Sequence, residues 1–252
     1  MRLLADLHTH TMASGHGYST VTEVASAARD RGLELIAVCD HGPSVPQGAH
    51  PWYFWNFKVV PSVLGGVRIL KGCEANVSPT SDNGIDLPDE ILRMLDFVAV
   101  GFHPLTGFDE PDRARNTKML LRVMADPLVD MITHPGNEDE FPLDLEAVVA
   151  ASVEHRVILE LNDHSFAETS SRSSSAARER EFAAAALAAG APVAIGSDAH
   201  YHLHVGRFDA AVAVATELGF TEERLVNRDA ASVLEFLLAK RERPRLDAGG
   251  EW

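Results

Sequence analysis

The 252-residue chain contains only two cysteines, Cys39 and Cys73. Each sits in an apolar run (AVCDH and LKGCEA), so both read as buried free thiols in a reducing cytosol and not as a disulfide. No stretch approaches the roughly 18 consecutive apolar residues that a membrane span requires. The opening MRLLADLH is too short and turns polar too soon for a secretory leader. These absences predict a cytoplasmic protein with no membrane partner. Positive charge is scarce too: 22 Lys and Arg stand against 37 Asp and Glu, a net charge of −15. Such a surface repels a long nucleic acid, whose phosphates are normally held by Lys and Arg, and this speaks against a polymer-tracking nuclease. A small anion is not excluded, because a local metal site overrides the global field. The apolar fraction of 46% is ordinary for a globular protein, and the length suits one β/α barrel. A chain of this size needs neither disulfide nor metal merely to hold a core.

What is present is a regular alternation of short apolar runs and longer helical patterns. Strands are predicted at 2–8, 33–40, 68–75, 96–102, 129–134, 157–162 and 192–198. Helices are predicted near 20–31, 56–65, 88–94, 115–125, 144–155, 175–189, 207–218 and 229–239. Thr20, Asn116 and Asp144 are expected as N-caps, Gly32 and Gly190 as C-caps. Near-continuous apolar strands separated by helices indicate a parallel sheet covered on its outer face. Seven strand–helix units point to closure into a barrel, although an open doubly wound sheet gives a similar pattern. Residues 165–175 form a Ser-rich loop, and no linker or repeat divides the chain. A single-domain barrel is expected over residues 1–241, with 242–252 a frayed tail.

The histidines are not scattered. Of twelve, six fall at the carboxyl ends of predicted strands: His8, His10, His41, His103, His134 and His200. Glu74 ends the third strand in the same way, and Asp198 the seventh. That face of a β/α barrel is where its loops build an active site. His8 and His10 form an H-x-H pair whose alternation on a strand puts both on one side, able to chelate one ion. Asp6 shares that parity and is expected to orient an imidazole from behind. Imidazole suits zinc, iron or manganese, whereas calcium and magnesium prefer oxygen. One carboxylate among many histidines can bridge two ions. An H-x-H pair alone is most often a surface feature, but eight strand-end ligands together point to a metal site. If these eight and His16 hold three divalent ions, two carboxylates leave the centre near about +4, which calls for an anionic ligand such as phosphate. Adjacent metals lower the pKa of a shared water and neutralise a leaving oxygen.

The motifs DLHTH at 6–10, His16, CDHGP at 39–43, GCEAN at 72–76, GFH at 101–103, THPGN at 133–137 and GSDAH at 196–200 occur in this order. Together they resemble the PHP (polymerase and histidinol phosphatase) domain family, in its stand-alone bacterial YcdX-like phosphatase branch. The resemblance implies a distorted seven-stranded parallel (β/α)7 TIM-like barrel and a trinuclear centre, usually zinc or manganese. By position, His8, His10, Glu74 and Asp198 would bind one ion, and Glu74, His103 and His134 a second, with Glu74 bridging. His16, His41 and His200 would bind the third. Glu74 and Asp198 would then carry catalysis by holding the ions that activate water.

Arg172, Arg207 and His202 are candidate contacts for a substrate phosphate, with solvated surface charge the equally open reading of either arginine. His204 reads as rim, His155 as surface, and His50 and His164 as loop residues that could line the mouth. Trp52, Tyr53, Phe54 and Trp55 are expected to pack as a lid over the barrel. The leading function is removal of phosphate from a small phosphomonoester. The alternative is a phosphodiesterase or 3′–5′ exonuclease using the same metals. A non-catalytic, metal-stabilised partner module fits less well, given the full ligand set. An amidohydrolase normally bridges its metals with a carboxylated lysine, and here Glu74 holds the corresponding strand end.

Overall fold

The computed structural model describes residues 1–108, 112–137, 140–167 and 173–241. Its strands are β1 (Ala5–Thr9), β2 (Leu35–Val38), β3 (Val63–Leu64), β4 (Val67–Asn76), β5 (Phe97–Gly101), β6 (Met131–Ile132), β7 (Ile158–Asn162) and β8 (Val193–Gly196). All but β3 pair in parallel, in the order β1-β2-β4-β5-β6-β7-β8, and make a nearly closed barrel. The helices are α1 (Val21–Asp30), α2 (Pro51–Trp55), α3 (Asp89–Leu92), α4 (Arg113–Met124), α5 (Leu145–His155), α6 (Ala176–Ala189), α7 (Asp209–Leu218) and α8 (Ala230–Lys240). The expected seven-stranded parallel barrel is therefore the fold, in one domain. Arg172 and the expected tail at 242–252 lie outside the described residues. No helix among the described residues is long and apolar enough to cross a membrane. Cys39 and Cys73 are both free and buried.

Alternate strand residues fill the barrel from an apolar floor upward. Ala5, Leu7, Leu35, Ala37, Leu70, Phe97, Ala99, Met131, Ile158 and Ala194 form the floor, and Val233 and Leu237 of α8 seal it at the amino end. Higher up, the same parity delivers polar groups: Leu70 leads to Glu74, Ile158 to Glu160, and Ala194 to Asp198. In β1 the register against β2 shifts between Asp6 and Thr9, so His8 and His10 reach the centre although Ala5 and Leu7 pack in the floor.

Closure between β1 and β8 is direct only at the top, where Thr9 bridges Ala199. Below, residues 225–228 wedge between the two strands. Leu225 bridges Val193, and the Leu4 amide donates to the Arg228 carbonyl. The Asn227 side chain replaces the missing ladder: Nδ2 donates to the carbonyls of Ala5 and Ile195, both at 2.8 Å, and Oδ1 accepts from the Ile195 amide at 3.1 Å.

Local capping follows the sequence in most places. Thr20 caps α1 in a reciprocal box with Glu23, Asp144 caps α5, and Gly190 ends α6 in the left-handed region. Three expectations fail. Asp112 caps α4 instead of Asn116, which is buried inside the helix. The cap of α1 is Arg31, with Gly32 one residue beyond. No helix spans 56–65: Pro51 starts α2 five residues earlier, and β3 folds back on β4 through Gly65–Gly66, whose positive φ angles suit the reversal. Within α2, Phe54 is buried and Tyr53 half-buried, while Trp52 and Trp55 face solvent at 76% and 46% exposure. The predicted lid packing holds only for the inner pair, because a one-and-a-half-turn helix has a single inward face.

Candidate metal centre

Six strand ends and the loops after them bring the predicted ligands to one place. Four donor atoms, His8 Nε2, His10 Nε2, Glu74 Oε2 and Asp198 Oδ1, stand close together. His8 lies 3.0 Å from His10, 3.3 Å from Glu74 and 3.5 Å from Asp198; His10 lies 3.5 Å from Glu74 and 3.3 Å from Asp198. A tetrahedron of nitrogen and oxygen ligands at zinc-like bond lengths has edges of about 3.3 Å. The four atoms thus have the spacing of a coordination shell.

Glu74 turns its other oxygen to a second group. Oε1 is 3.3 Å from His103 Nε2 and 3.0 Å from His134 Nε2. A third group is looser. The His16 ring stacks on those of His41 and His200 with centroids 4.9 and 4.6 Å apart, His41 Nδ1 approaches Glu74 Oε2 at 2.9 Å, and His10 joins His41 and His200 in a cluster of ligand spacing. His41 Nδ1, Glu74 Oε2 and His200 Nε2 are buried without a hydrogen-bond partner. Buried polar atoms are rarely left so, and a cation would satisfy all three. Asp198 and His134 hold positive φ angles of 52° and 33°, a local strain that the ligand geometry explains.

The electrostatics favour a cation at the same point. Burial alone would push Glu74 up, yet the imidazoles of His103, His8 and His41 hold its carboxyl well below the usual range. Burial would likewise lower His8, but Glu160, Glu74 and Asp198 drive it well above an ordinary imidazole. The carboxylates thus demand positive charge. His10 and His200 are lowered by burial, and His16 falls to about 4 through burial and its neighbours His200 and His41. These rings are neutral at pH 7, as metal ligands must be.

Groups behind the ligands were only partly foreseen. Glu160 accepts from His8 Nδ1 at 2.7 Å and from the His134 amide at 2.9 Å, which aims His8 Nε2 at the centre. A Cβ at position 196 would collide with the Glu160 carboxylate, so Gly196 lets β8 approach β7 there. Asn76 Oδ1 accepts from His103 Nδ1 at 2.7 Å, while Asp86 receives the Asn76 amide group. The carboxylate expected to orient an imidazole, Asp6, does something else: it accepts from the Ser197 amide and hydroxyl and the amides of Gly206 and His8. Burial pushes it up to about 6. The register shift in β1 accounts for this, because Asp6 precedes it and the two histidines follow. A lone acid in the apolar run VILELN, two residues from Ile158 and from Asn162, was the available signal for Glu160.

The ligands open into a cavity of about 160 Å³, walled otherwise by Phe102, Pro104, Asn137 and Glu140. Its described lining contains no lysine or arginine. Arg207 is exposed, and its charge is felt by Asp163 and His204. His202 pairs with Ser19 through Nδ1 and its amide, beside α1. His50 caps α2, and His164 is exposed.

The sequence and the fold are both similar to those of known proteins. The PHP domain model matches residues 6–186. A probable phosphatase of Thermoanaerobacter sp. (strain X514) is 42% identical, over 100% of this chain and 99% of the relative. A probable phosphatase of Acetivibrio thermocellus is 41% identical over 97% and 99%. Among solved structures, histidinol phosphate phosphatase of Lactococcus lactis, complexed with zinc, L-histidinol and phosphate, superposes with a TM-score of 0.62 at 16% identity, covering 88% of this chain and 95% of that one. At such identity the likeness speaks for the barrel, and the sequence matches carry the kinship: this chain belongs to the PHP domain family.

Proposed function

We propose that this chain is a metal-dependent phosphatase that removes phosphate from small phosphomonoesters. The observation that carries the reading is the near-tetrahedral set of His8, His10, Glu74 and Asp198, joined through Glu74 to His103 and His134. With His16, His41 and His200 the donors suffice for three divalent ions. Their nitrogen-rich chemistry favours zinc, with manganese or iron as alternatives. Bound there, such ions supply Lewis acidity that lowers the pKa of water and neutralises phosphoryl oxygens. The chain's own groups do the rest. Glu160 and Asn76 hold the ring protons of His8 and His103 away from the centre, and Phe102 and Pro104 wall the phosphate off from bulk water. The names of the 41–42% identical relatives support the same reaction.

The choice of monoester rests on charge and size. The ligands alone leave an excess of about +4 with three divalent ions, and Glu160, Asp40 and Glu140 nearby offset part of it; the positive remainder at the ions favours a phosphate dianion over the single charge of a diester. The cavity of about 160 Å³ suits a phosphate group with part of its alcohol. A polymer would need several phosphate contacts at physiological salt, and the chain carries a net −15. The expected result is a higher kcat/KM for a sugar or nucleoside monophosphate than for an oligonucleotide, at low and at physiological salt. An oligonucleotide that wins, with an advantage falling steeply as salt rises, would replace this reading with a phosphodiesterase or 3′–5′ exonuclease.

A further inference from the structure

Asp40, at the end of β2, is fully buried and accepts four hydrogen bonds. Oδ1 takes the Thr11 amide and the Ser14 hydroxyl, both at 2.7 Å. Oδ2 takes the Thr11 hydroxyl at 2.8 Å and the Tyr53 hydroxyl at 2.5 Å. Ser14 gives its one proton to Asp40 and can therefore only accept from its other neighbours. These are the His41 amide at 3.1 Å and His10 Nδ1 at 2.9 Å. Nδ1 of His10 must then carry the ring proton, and the lone pair on Nε2 is left for the cluster with His8, Glu74 and Asp198.

Tyr53 enters this chain from the outside. It belongs to α2, where its ring packs on Phe54 and Phe57 and its neighbours Trp52 and Trp55 face solvent. Burial and the Asp40 carboxylate push the phenol far above its ordinary range, so it remains a donor. The hydroxyl is the only side-chain link described between α2 and Asp40.

We propose that Tyr53 is a positioning residue for the metal centre: through Asp40 and Ser14 it fixes the ring proton of His10 and the main chain of His41, and so couples α2 to metal affinity. This rests on the metal-site reading above. Coupling is reciprocal, so metal binding must also act on α2, where Trp52 and Trp55 report it.

The test is a zinc titration of chelator-stripped protein against a competing chromophoric chelator, with tryptophan emission followed in parallel. Tyr53→Phe should weaken zinc binding roughly 10-fold, the lower end for groups that orient a ligand, and abolish the zinc-linked emission change. Ser14→Ala should give a comparable loss of affinity, and it serves alone if Tyr53→Phe does not fold. The double variant should lose no more than the worse single, because both cut one chain. Unchanged zinc affinity in Tyr53→Phe, or fully additive losses in the double variant, overturns the proposal. Affinity is read directly, so the result does not depend on phosphate release. A wild-type chain that binds no zinc overturns the metal-site reading as well.

Discussion

Glu74→Gln lowers phosphate release by roughly a thousandfold or more, equivalent to about 4 kcal/mol of transition-state stabilisation. The two carboxylate oxygens of Glu74 face different sets of imidazole nitrogens: Oε2 lies within 3.5 Å of His8, His10 and His41, Oε1 within 3.3 Å of His103 and His134. The amide keeps the shape and hydrogen-bonding bulk of the carboxylate but removes the charge that five imidazoles share. It also replaces one acceptor oxygen by an amide nitrogen, which has no lone pair free to ligate a cation. Both the spacing and the charge of the centre are lost together. His202→Ala and His204→Ala should cost less than about threefold, because neither ring lines the cavity. The comparison is made by kcat/KM on one phosphomonoester, with metal content measured on each variant. Equal losses at Glu74 and His202 would mean that the centre has been misplaced.

Asn227→Leu destabilises the barrel by about 3–5 kcal/mol, with a fall in Tm of roughly 10 °C or more. The substitution keeps the volume and removes three hydrogen bonds at once. The Ile195 amide, the Ile195 carbonyl and the Ala5 carbonyl then stand buried without partners in the gap between β1 and β8. Each such orphan costs on the order of 1–3 kcal/mol. Denaturant unfolding of the variant and the parent, both stripped of metal, isolates this effect from metal binding. A change below about 1 kcal/mol would show that residues 225–228 are not what joins the two strands.

Much of the molecule was legible because one rule, alternation along a strand, governs both the core and the site. Leu70 and Glu74 share a parity, as do Ala194 and Asp198, so the run of apolar residues announces where the polar one points. The same rule would have found Glu160 from Ile158, but an acid inside VILELN reads as an interruption unless its partner is known. That partner, His8, lies 152 residues away. Asn227 is a harder case. It sits between α7 and α8 in a stretch with no periodicity, and its role exists only through backbone atoms of Ala5 and Ile195. Asp6 went astray for a related reason, since the register shift that separates it from His8 depends on the pairing of β1 with β2. The missing helix at 56–65 is a local failure: Gly65–Gly66 makes a hairpin turn, and its strand partner is β4 itself.

Metal content and phosphate release, measured on one preparation purified without chelator, decide whether Glu74 anchors a catalytic metal centre. Elemental analysis should find about three divalent ions per chain, as nine donors with one shared carboxylate require. Phosphate release should disappear with a chelator and return when zinc or manganese is restored. Full phosphate release from protein holding one ion per chain or fewer would contradict it.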